Sequence, residues 1–410
     1  MMRILTLVLL AGLVLSCSPQ QETPIVWKTI QRSLQEQLIA AADGDTIRIP
    51  AGQYMFTRGL QMDGKKDIVL RGAGKDSTIL SFRDQAEGAQ GILITNGINI
   101  TVEDMTIEDA KGDNIKVSDT RGITLRRIRS RWTGEPKSTN GAYALYPVLS
   151  KHVLIEDCEA IGSSDAGIYV GQSDSVIVRN NKAWHNVAGI ESENSRWVEI
   201  YDNEAWDNAG GLLVFDLPGL TQYGHSTRMY RNNIHDNNHE NFATPGNIVA
   251  GIPSGSGIMI LATHDLEMFN NTIINNKTVG TGIISYELVA ALSAEDEVQN
   301  DTPGGTQMVN DNFRLDTLYN PYPYNIRIRG NRYANSHWFP TLSHDIGLLF
   351  VMKSFGSPPD IAFDGIRPDD SDPRICTDGN TGAGTILYLD AAHDFEGLEK
   401  DPARMRCGEK

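Results

Sequence analysis

Apolar and polar residues alternate in short runs along this chain, and the runs recur about every 22 residues. Val178–Asn186 and Ile200–Asn208 match position by position at an offset of 22. Ile155–Ile161 aligns 23 residues before the first of these, and further copies begin at Met229 and Met268. Alternation over a few residues between turn residues is typical of strands. Each period therefore predicts short strands separated by turns.

A second alternating segment runs in phase with the first and begins with glycine. Its copies are Gly167–Val170, Gly189–Ser192, Gly211–Val214 and Gly257–Ile260. A period of this length has no room for a crossover helix, which excludes βαβ sheets and leucine-rich repeats. We therefore predict an all-β fold, a single-stranded right-handed parallel β-helix.

In such a coil each residue stacks on its counterpart one turn away, at about 4.8 Å. Two turn columns are then asparagine ladders, which we interpret as structural. Their members are Asn181, Asn203, Asn232 and Asn271, and Asn186, Asn208, Asn237 and Asn276. One outward column alternates in charge and then becomes aromatic: Glu103, Arg126, Glu156, Arg179, Tyr201, Tyr230 and Phe269. Cross-strand pairing alone accounts for that column.

The ends and the interruptions of the repeat are also visible. Apolar residues from Ile30 to Ala42 at helical spacing predict a helix that covers the first rung. We place the β-helix with this capping helix at 29–331, and the last rungs and an irregular C-terminal cap at 332–410. Three insertions break the register: Leu217–Ser226, His239–Gly255 and Glu287–Tyr324. Loops on a rigid coil commonly form the rim of a binding groove.

The N-terminus predicts export. A short basic start is followed by the apolar run Ile4–Leu15 and by Ser16-Cys17. This run is too short for a mature membrane helix and fits a signal peptide. Leu13–Cys17 resembles the bacterial lipobox, so we expect a lipoprotein signal peptide at 1–16 and a lipidated Cys17 with its tether at 17–28. An ordinary signal peptide with a chance cysteine is the alternative. The expected location is lipid-anchored in the bacterial envelope, on the periplasmic or the outer-membrane face.

The charge of the chain limits its possible partners, and its cysteines predict a disulfide and a buried thiol. The chain has 36 Lys and Arg against 52 Asp and Glu, a formal net charge of −16. This balance argues against a nucleic-acid partner, which needs a basic surface. Cys376 and Cys407 both lie in the C-terminal region and are expected to pair in an oxidising compartment. Cys158 lies inside a repeat and is expected to be a buried thiol.

Outward polar residues gather on one predicted strand face. Tyr143, Tyr169 and Glu191 are assigned to one column, and Glu193 lies two residues beyond Glu191. Asp165 and Asp216 flank the same strands. Adjacent carboxylates raise one another's pKa values or share a hard cation, so Glu191, Glu193 and Asp216 form a candidate Ca²⁺ site. The full set of catalytic candidates is Glu191, Glu193, Asp216, Tyr169, Asp165 and His235.

These residue types are suited to polysaccharide chemistry. In a lyase or epimerase, Ca²⁺ would neutralise a uronate carboxylate while a base removes the neighbouring proton. In a hydrolase, one carboxylic acid would protonate the glycosidic oxygen and another carboxylate would activate water. Candidates for substrate binding are Tyr143, Trp184, Trp206 and Arg179. The alternative is structural, with acidic residues that only stabilise turns.

Four stretches carry a resemblance to a known family. They are Asn140–Val148, Asp165–Ser173, Asn186–Ser195 and Phe215–Leu220. Together they resemble the exported bacterial parallel β-helix repeat-containing proteins, a pectate-lyase-like β-helix family with no assigned activity. The resemblance implies an exported, often lipidated protein encoded beside another exported protein, in some cases a cytochrome-like one. It implies no catalytic residues.

The sequence leaves two functions of different class open. The first is an exported lipoprotein that binds or processes a polysaccharide as a lyase, epimerase or hydrolase. The second is a non-catalytic scaffold for an exported envelope or cytochrome-like redox partner. We expect the first to use the acidic and tyrosine face, and the second to present the same face to a protein.

Overall fold

A computed structural model describes residues 27–245, 247–297, 313–342, 358–368 and 371–408. The predicted signal peptide, Cys17 and most of the predicted tether lie outside these residues. Within the described ranges, no helix is long and apolar enough to cross a membrane.

The chain winds as a coil with three short strands in each full turn, and strands of successive turns pair in parallel. In the described residues the strands form two sheets, of 12 and 19 members. The 12-stranded sheet contains the first strand of each turn and is called the first face. The 19-stranded sheet contains the second and third strands, which meet at a turn.

The strands of the first face are Arg58–Asp63, Glu87–Thr95, Ile115–Ser118, Tyr143–Val148, Ala166–Gly171, Ala188–Glu193, Gly210–Phe215, Ser256–Leu261, Val279–Ile284, Ile361–Phe363, Ile386–Tyr388 and Glu399–Lys400. All of these pairings are parallel except the last, where Glu399–Lys400 runs antiparallel to its neighbour.

The 19-stranded sheet is built from two sets. The second strands of the turns are Thr46–Arg48, Val69–Arg71, Ile98–Glu108, Arg121–Arg131, Lys151–Glu156, Asp174–Arg179, Arg196–Tyr201, His225–Tyr230, His264–Phe269, Tyr324–Arg329 and Ile375–Asp378. The third strands are Gly52–Met55, Thr78–Ser81, Glu159–Ile161, Lys182–Trp184, Glu204–Trp206, Asn233–His235, Thr272–Ile274 and Arg332–Ala334. Ile98–Glu108 and Arg121–Arg131 are long enough to serve in both sets.

The predicted register is confirmed for the inward columns. Ile168 pairs with Ile190, Ile190 with Leu212, and Leu212 with Ile258, and all four are fully buried in the coil. These columns belong to one continuous apolar core that runs the length of the solenoid. Burial of stacked aliphatic side chains is the main favourable contribution to this fold.

Both asparagine ladders form as predicted. Asn181 Nδ2 donates to Asn203 Oδ1 at 3.0 Å, and Asn186 Nδ2 donates to Asn208 Oδ1 at the same distance. The first ladder extends beyond the predicted members to Asn331 and Asn380. The residues that precede the ladder asparagines adopt positive φ, as Asn180 does at 56°. Each buried amide therefore satisfies polar groups that the turn would otherwise leave unpaired.

The column of alternating charge also forms. Arg126 Nε lies 3.6 Å from Glu103 and 3.3 Å from Glu156, and Arg179 Nη2 lies 2.6 Å from Glu156. Beyond it, Tyr201 stacks on Tyr230 at 4.8 Å between ring centroids. Arg179 therefore belongs to a structural ladder on the 19-stranded sheet.

The ends of the coil are closed. The predicted N-terminal helix spans Gln31–Ala40 and buries Leu34 and Leu38 against the first rung. At the other end, Cys376 and Cys407 form a disulfide. Cys158 is a buried free thiol, and burial raises its pKa to about 12.

The insertions fold back over part of the first face and form a second apolar core there. They contain the helix Tyr286–Glu297 and the 3-10 turns Ile248–Gly251 and Phe313–Leu315. Outward residues of the first face pack against these segments: Leu213, Phe215, Met259 and Leu261 against Leu217, Val249, Ile252, Tyr286, Phe313 and Tyr319. We call these covering segments, residues 216–224, 236–245, 247–255, 285–297 and 313–323, the cover.

Candidate functional site

The most unusual chemistry lies on the outer side of the first face, where the cover begins. Six side chains from three consecutive strands and the turn beside them meet there, and we call them the acid–tyrosine cluster. Its members are Tyr143, Tyr146, Asp165, Tyr169, Glu191 and Glu193. The three tyrosine rings touch one another, with centroids 4.5 to 5.0 Å apart.

The predicted column contained one wrong residue. Leu145 pairs with Ile168, so Tyr146, not Tyr143, is the counterpart of Tyr169 and Glu191. Tyr143 pairs with Ala166 instead. It still reaches the cluster because its ring packs on Tyr169. Alignment of the glycines of the two strands predicts the wrong pairing, whereas the inward aliphatic residues set the true register.

Two tyrosines are each hydrogen-bonded to an acidic group. Tyr143 Oη donates to Asp165 Oδ2 at 3.1 Å, and Tyr169 Oη donates to Glu193 Oε1 at 2.7 Å. A phenol beside a carboxyl group favours the charged carboxylate, and burial opposes it. The cluster therefore contains two acid–phenol pairs, in each of which the hydrogen bond lowers the pKa of the carboxyl group and burial raises it.

Several carboxyl oxygens of the cluster are buried without a partner. Asp165 Oδ1, Glu191 Oε2 and Glu193 Oε2 have no hydrogen-bond partner. The side chains themselves are almost completely enclosed, with exposed fractions of 4%, 1% and 0%. A buried polar atom without a partner costs about 1–3 kcal/mol, so folding stability alone does not explain three of them.

Burial shifts the protonation of these acids. Loss of solvent raises the pKa of Asp165 and of Glu193 to about 7, against the hydrogen bonds from Tyr143 and Tyr169 that lower it. Loss of solvent, with repulsion from Asp165 and Glu193, raises the pKa of Glu191 well above its ordinary value. Near neutral pH the cluster therefore offers both protonated and ionised carboxyl groups, which acid–base catalysis needs.

The structure does not arrange Glu191, Glu193 and Asp216 as a set of metal ligands, and Ca²⁺ binding there stays a prediction. Among the described residues, no three His, Cys, Asp or Glu side chains are arranged to hold a metal ion. Glu193 is engaged with Tyr169, whereas Asp216 Oδ1 accepts from the backbone N–H of Gly224 at 2.7 Å. Glu193 and Asp216 therefore each have one carboxyl oxygen engaged with the protein.

Asp216 has a role in the cover. Its side chain holds Gly224, and its carbonyl oxygen accepts from Tyr319 Oη at 2.7 Å. Loss of solvent raises the pKa of Asp216 well above its ordinary value. The carboxyl group fastens the loop at 217–224 to the first face, and we assign it to positioning instead of catalysis.

His235 lies on a different sheet from the cluster. It is on the third strand set, where Nδ1 is 2.9 Å from Asp236 and Nε2 is 3.4 Å from Glu204. Its ring stacks on Trp206. The structure therefore does not bring His235 to the same site as Glu191 and Glu193.

Trp184 and Trp206 also lie on the third strand set, and they stack on each other at 4.8 Å with an angle of 14° between the rings. Sugar rings pack on the face of an aromatic ring, and here the facing surfaces are covered by the neighbouring rung. Three of the predicted substrate-binding residues, Arg179, Trp184 and Trp206, therefore lie in stacked ladders away from the cluster.

Sequence reasoning missed two residues at the open edge of the cluster. Lys116 pairs with Tyr146 across neighbouring strands, and its Nζ lies 4.6 Å from the ring centroid of Tyr146. Asp113 is buried, and loss of solvent raises its pKa while Lys116 lowers it. The signal that could have found them was the inward alternation of Ile115 and Val117, which places Lys116 outward.

A separate cavity of about 560 Å³ lies among the last turns of the chain. Its lining includes Arg367, Tyr388, Asp390, His393 and Arg404. No cluster residue lines it. The guanidinium of Arg404 is paired with Glu399, and His393 Nδ1 lies 2.9 Å from Asp390 Oδ1.

Comparison with known proteins agrees with this architecture. A family model described as right handed beta helix region matches residues 59–219. The A-module of mannuronan C-5 epimerase AlgE4 from Azotobacter vinelandii is similar at a TM-score of 0.54 and 16% identity, over 86% of this chain and 91% of that chain. The A-module of AlgE6 from the same organism gives 0.52 and 14%, over 86% and 89%. The chain therefore has the right-handed parallel β-helix fold.

A curated relative adds a second context. The pre-neck appendage protein of Bacillus phage B103 is 24% identical over 212 residues. The match covers 43% of this chain but only 24% of that protein, so the chain spans about a quarter of the length of the curated relative it matches. At these identities the likeness to the two epimerase modules is one of fold.

Proposed function

We propose that this protein processes a polysaccharide by acid–base chemistry at the acid–tyrosine cluster. One observation carries the proposal: three enclosed carboxyl groups meet on the outer side of the first face, each with a buried oxygen that has no partner. Unsatisfied buried acids cost stability, and functional sites are where proteins retain such groups. The fold shared with two mannuronan epimerase modules supports the substrate class.

The cluster supplies both partners that glycoside hydrolysis needs. A carboxyl group that remains partly protonated near neutral pH, Asp165 or Glu193, donates a proton to the glycosidic oxygen. A second, ionised carboxyl group activates the attacking water or stabilises positive charge on the sugar ring. Glu191 lies beside Asp165 and Glu193, and its oxygen without a partner can accept a hydrogen bond from a sugar hydroxyl. Tyr169 keeps Glu193 oriented through the 2.7 Å bond.

The first test is turnover on a panel of neutral and uronate-containing polysaccharides. New reducing ends report hydrolysis, and ultraviolet absorbance of unsaturated ends reports elimination. We expect Glu191→Gln to lower turnover at least about 100-fold, the range that positioned acid–base groups contribute. Glu199→Gln is the matched control because Glu199 lies on the 19-stranded sheet, paired with Arg228. Equal losses in both variants, or turnover unchanged in Glu191→Gln, would contradict the assignment.

The alternative is a scaffold that docks an exported envelope or cytochrome-like protein. It demands the opposite result: no product from any polysaccharide, with the purified protein retaining an exported partner on the first face. The near-complete burial of Asp165, Glu191 and Glu193, which leaves a polymer little access to them, is the observation that favours it. A partner whose binding is lost in Tyr146→Ala but not in Glu199→Gln would establish the scaffold.

We further propose export and lipid attachment at Cys17. The apolar run Ile4–Leu15 followed by Ser16-Cys17 supports it. The Cys376–Cys407 disulfide is of the kind found in oxidising compartments. Metabolic labelling with a palmitate analogue should label the wild type and the Cys158→Ser control, and should fail to label Cys17→Ser. Label retained in Cys17→Ser would refute the anchor.

A further inference from the structure

The first face is open at one end and closed at the other. One outward column runs along eight successive strands of this face: Gln61, Leu93, Lys116, Tyr146, Tyr169, Glu191, Leu213 and Met259. Gln61 is exposed, and the next three side chains are half-buried. From Tyr169 onward every member is buried. The change from open to closed falls at the acid–tyrosine cluster.

The closed end is sealed by apolar packing. Leu213 and Met259 follow Glu191 in the column, and both belong to the core that the cover forms with the first face. Leu217, Ile252 and Tyr319 of the cover are buried in the same core. A polymer lying on the column could continue past Glu191 only by displacing this packing. Exposing buried aliphatic and aromatic side chains to water is strongly unfavourable.

The edge of the cover is fixed by polar bonds at the same rung. Thr221 donates to Gln172 Oε1 through its backbone N–H at 3.0 Å and through its hydroxyl at 2.7 Å. Asn194 Nδ2 donates to the carbonyl oxygens of Leu217 and Gln222, both at 2.8 Å. Gln172 follows the strand of Tyr169, and Asn194 follows the strand of Glu193. The end of the cover is therefore anchored beside the cluster.

The open end presents a short track. From Gln61 to Tyr146 it spans three inter-strand steps, about 14 Å in all. Its surface is mixed: an amide, an aliphatic side chain, the Lys116 ammonium and the half-buried ring of Tyr146. Such a surface can hold a few sugar rings by ring packing and hydrogen bonds. It leads directly to the buried carboxyl groups.

We infer that the open track is a blind groove, closed at the cluster by the cover, and that the protein acts on the end of a glycan chain and not on internal linkages. The inference rests on the proposed function, because it assigns the mode of attack at the same site. A chain would lie along the open rungs from Gln61 to Tyr146, with its terminal unit at Asp165, Glu191 and Glu193 against the cover. Tyr146, the half-buried cluster residue next to the open rungs, would contact the terminal unit first.

The size of the products tests this inference. On a polysaccharide that is turned over, size-exclusion chromatography should show mono- or disaccharides from the earliest time points, while the remaining polymer shortens slowly. Fragments of intermediate length at early times would overturn the chain-end mode and leave the proposed function intact. No product from any polymer in the panel would overturn both.

A matched pair of lysine variants tests the open track independently. Lys116→Met removes the ammonium beside Tyr146, whereas Lys182→Met removes a lysine on the third strand set that pairs with Glu204. We expect KM for oligosaccharides to rise about tenfold in Lys116→Met, the effect of losing one charged hydrogen bond, with kcat little changed. Lys182→Met should behave as the wild type. An unchanged KM in Lys116→Met would show that the open end is not part of the binding site and would overturn the inference.

Discussion

At the scale of single residues, burial determines what the cluster can do. Asp165, Glu191 and Glu193 would be ordinary acids on an open sheet, and their enclosure favours the protonated forms. The sequence predicted the outward direction of Glu191 and Glu193 from the alternation of their strand, and it placed Asp165 beside the neighbouring strand. It did not reveal their burial, because the segments that enclose them lie outside the repeat. The position of Tyr143 was also mispredicted, because glycines are a weaker guide to register than inward side chains.

The raised pKa of Glu193 predicts a pH-dependent stability. A group whose folded pKa of about 7 exceeds its ordinary value of 4.5 stabilises the fold below the lower value, and this stability is lost as pH rises through the higher one. The loss is at most about 3 kcal/mol. Glu193→Gln should therefore exceed the wild type in unfolding free energy at pH 8 and differ little at pH 4, as measured by urea unfolding.

The control for this titration is Glu199→Gln, whose side chain is half-buried and ion-paired on the other sheet. Its unfolding free energy should differ from that of the wild type by about 0.5 kcal/mol or less at both pH values. If Glu193→Gln and the wild type gave parallel curves from pH 4 to pH 8, the carboxyl group of Glu193 would titrate normally, and the description of a buried acid would be incorrect.

At the scale of elements, the turns and strands could be predicted and the fold of the insertions could not. The turn residues recur with the repeat, so the Asn181 ladder and the strand phase followed from offsets of 22 and 23. The insertions have no counterpart one rung away, and hence no register. They are visible in the sequence as breaks in the repeat, but their folding back over the first face depends on packing partners that are distant in sequence.

The hydrogen bonds of the asparagine ladder predict that removal of one ladder side chain lowers the unfolding free energy substantially. Asn203 accepts hydrogen bonds from Asn181 and donates to Val178 and Asn232, all within 3.0 Å. Asn203→Ala leaves buried polar groups of both neighbouring rungs unpaired and should lower the unfolding free energy by about 2–4 kcal/mol. Asn233→Ala, at a half-buried strand position, should cost no more than about 0.5 kcal/mol. Equal effects in chemical denaturation would contradict the structural role of the ladder.

Two variants of Asp216 distinguish a positioning role of this residue from a catalytic one. Asp216→Asn keeps an oxygen that can accept from Gly224 and should retain turnover, while Asp216→Leu should loosen the loop at 217–224. The loosening should appear as faster amide hydrogen exchange in that loop, with the core strands still protected. Loss of turnover in Asp216→Asn without a change in exchange would return Asp216 to the catalytic group.

At the scale of the whole molecule, the coil supplies a rigid face, and the cover closes one end of that face while the other end stays open. An uncovered β-helix is similar along its length, so its surface alone does not select one rung. Here the cover ends beside Glu191 and Glu193, and one rung therefore combines burial with an adjacent open track. The sequence predicted the coil and the location of the acids, and the blind end follows only from the folded cover.

The most direct test of the polysaccharide site is a crystal structure of Glu191→Gln soaked separately with mannuronan and neutral glucan hexasaccharides. We predict sugar density on the outer side of the first face, along the rungs of Gln61 to Tyr146, with one chain end beside Asp165 and Glu193. Density confined to the Trp184 and Trp206 ladder on the other sheet, or a first face without sugar in both soaks, would contradict the assignment of the acid–tyrosine cluster as a polysaccharide site.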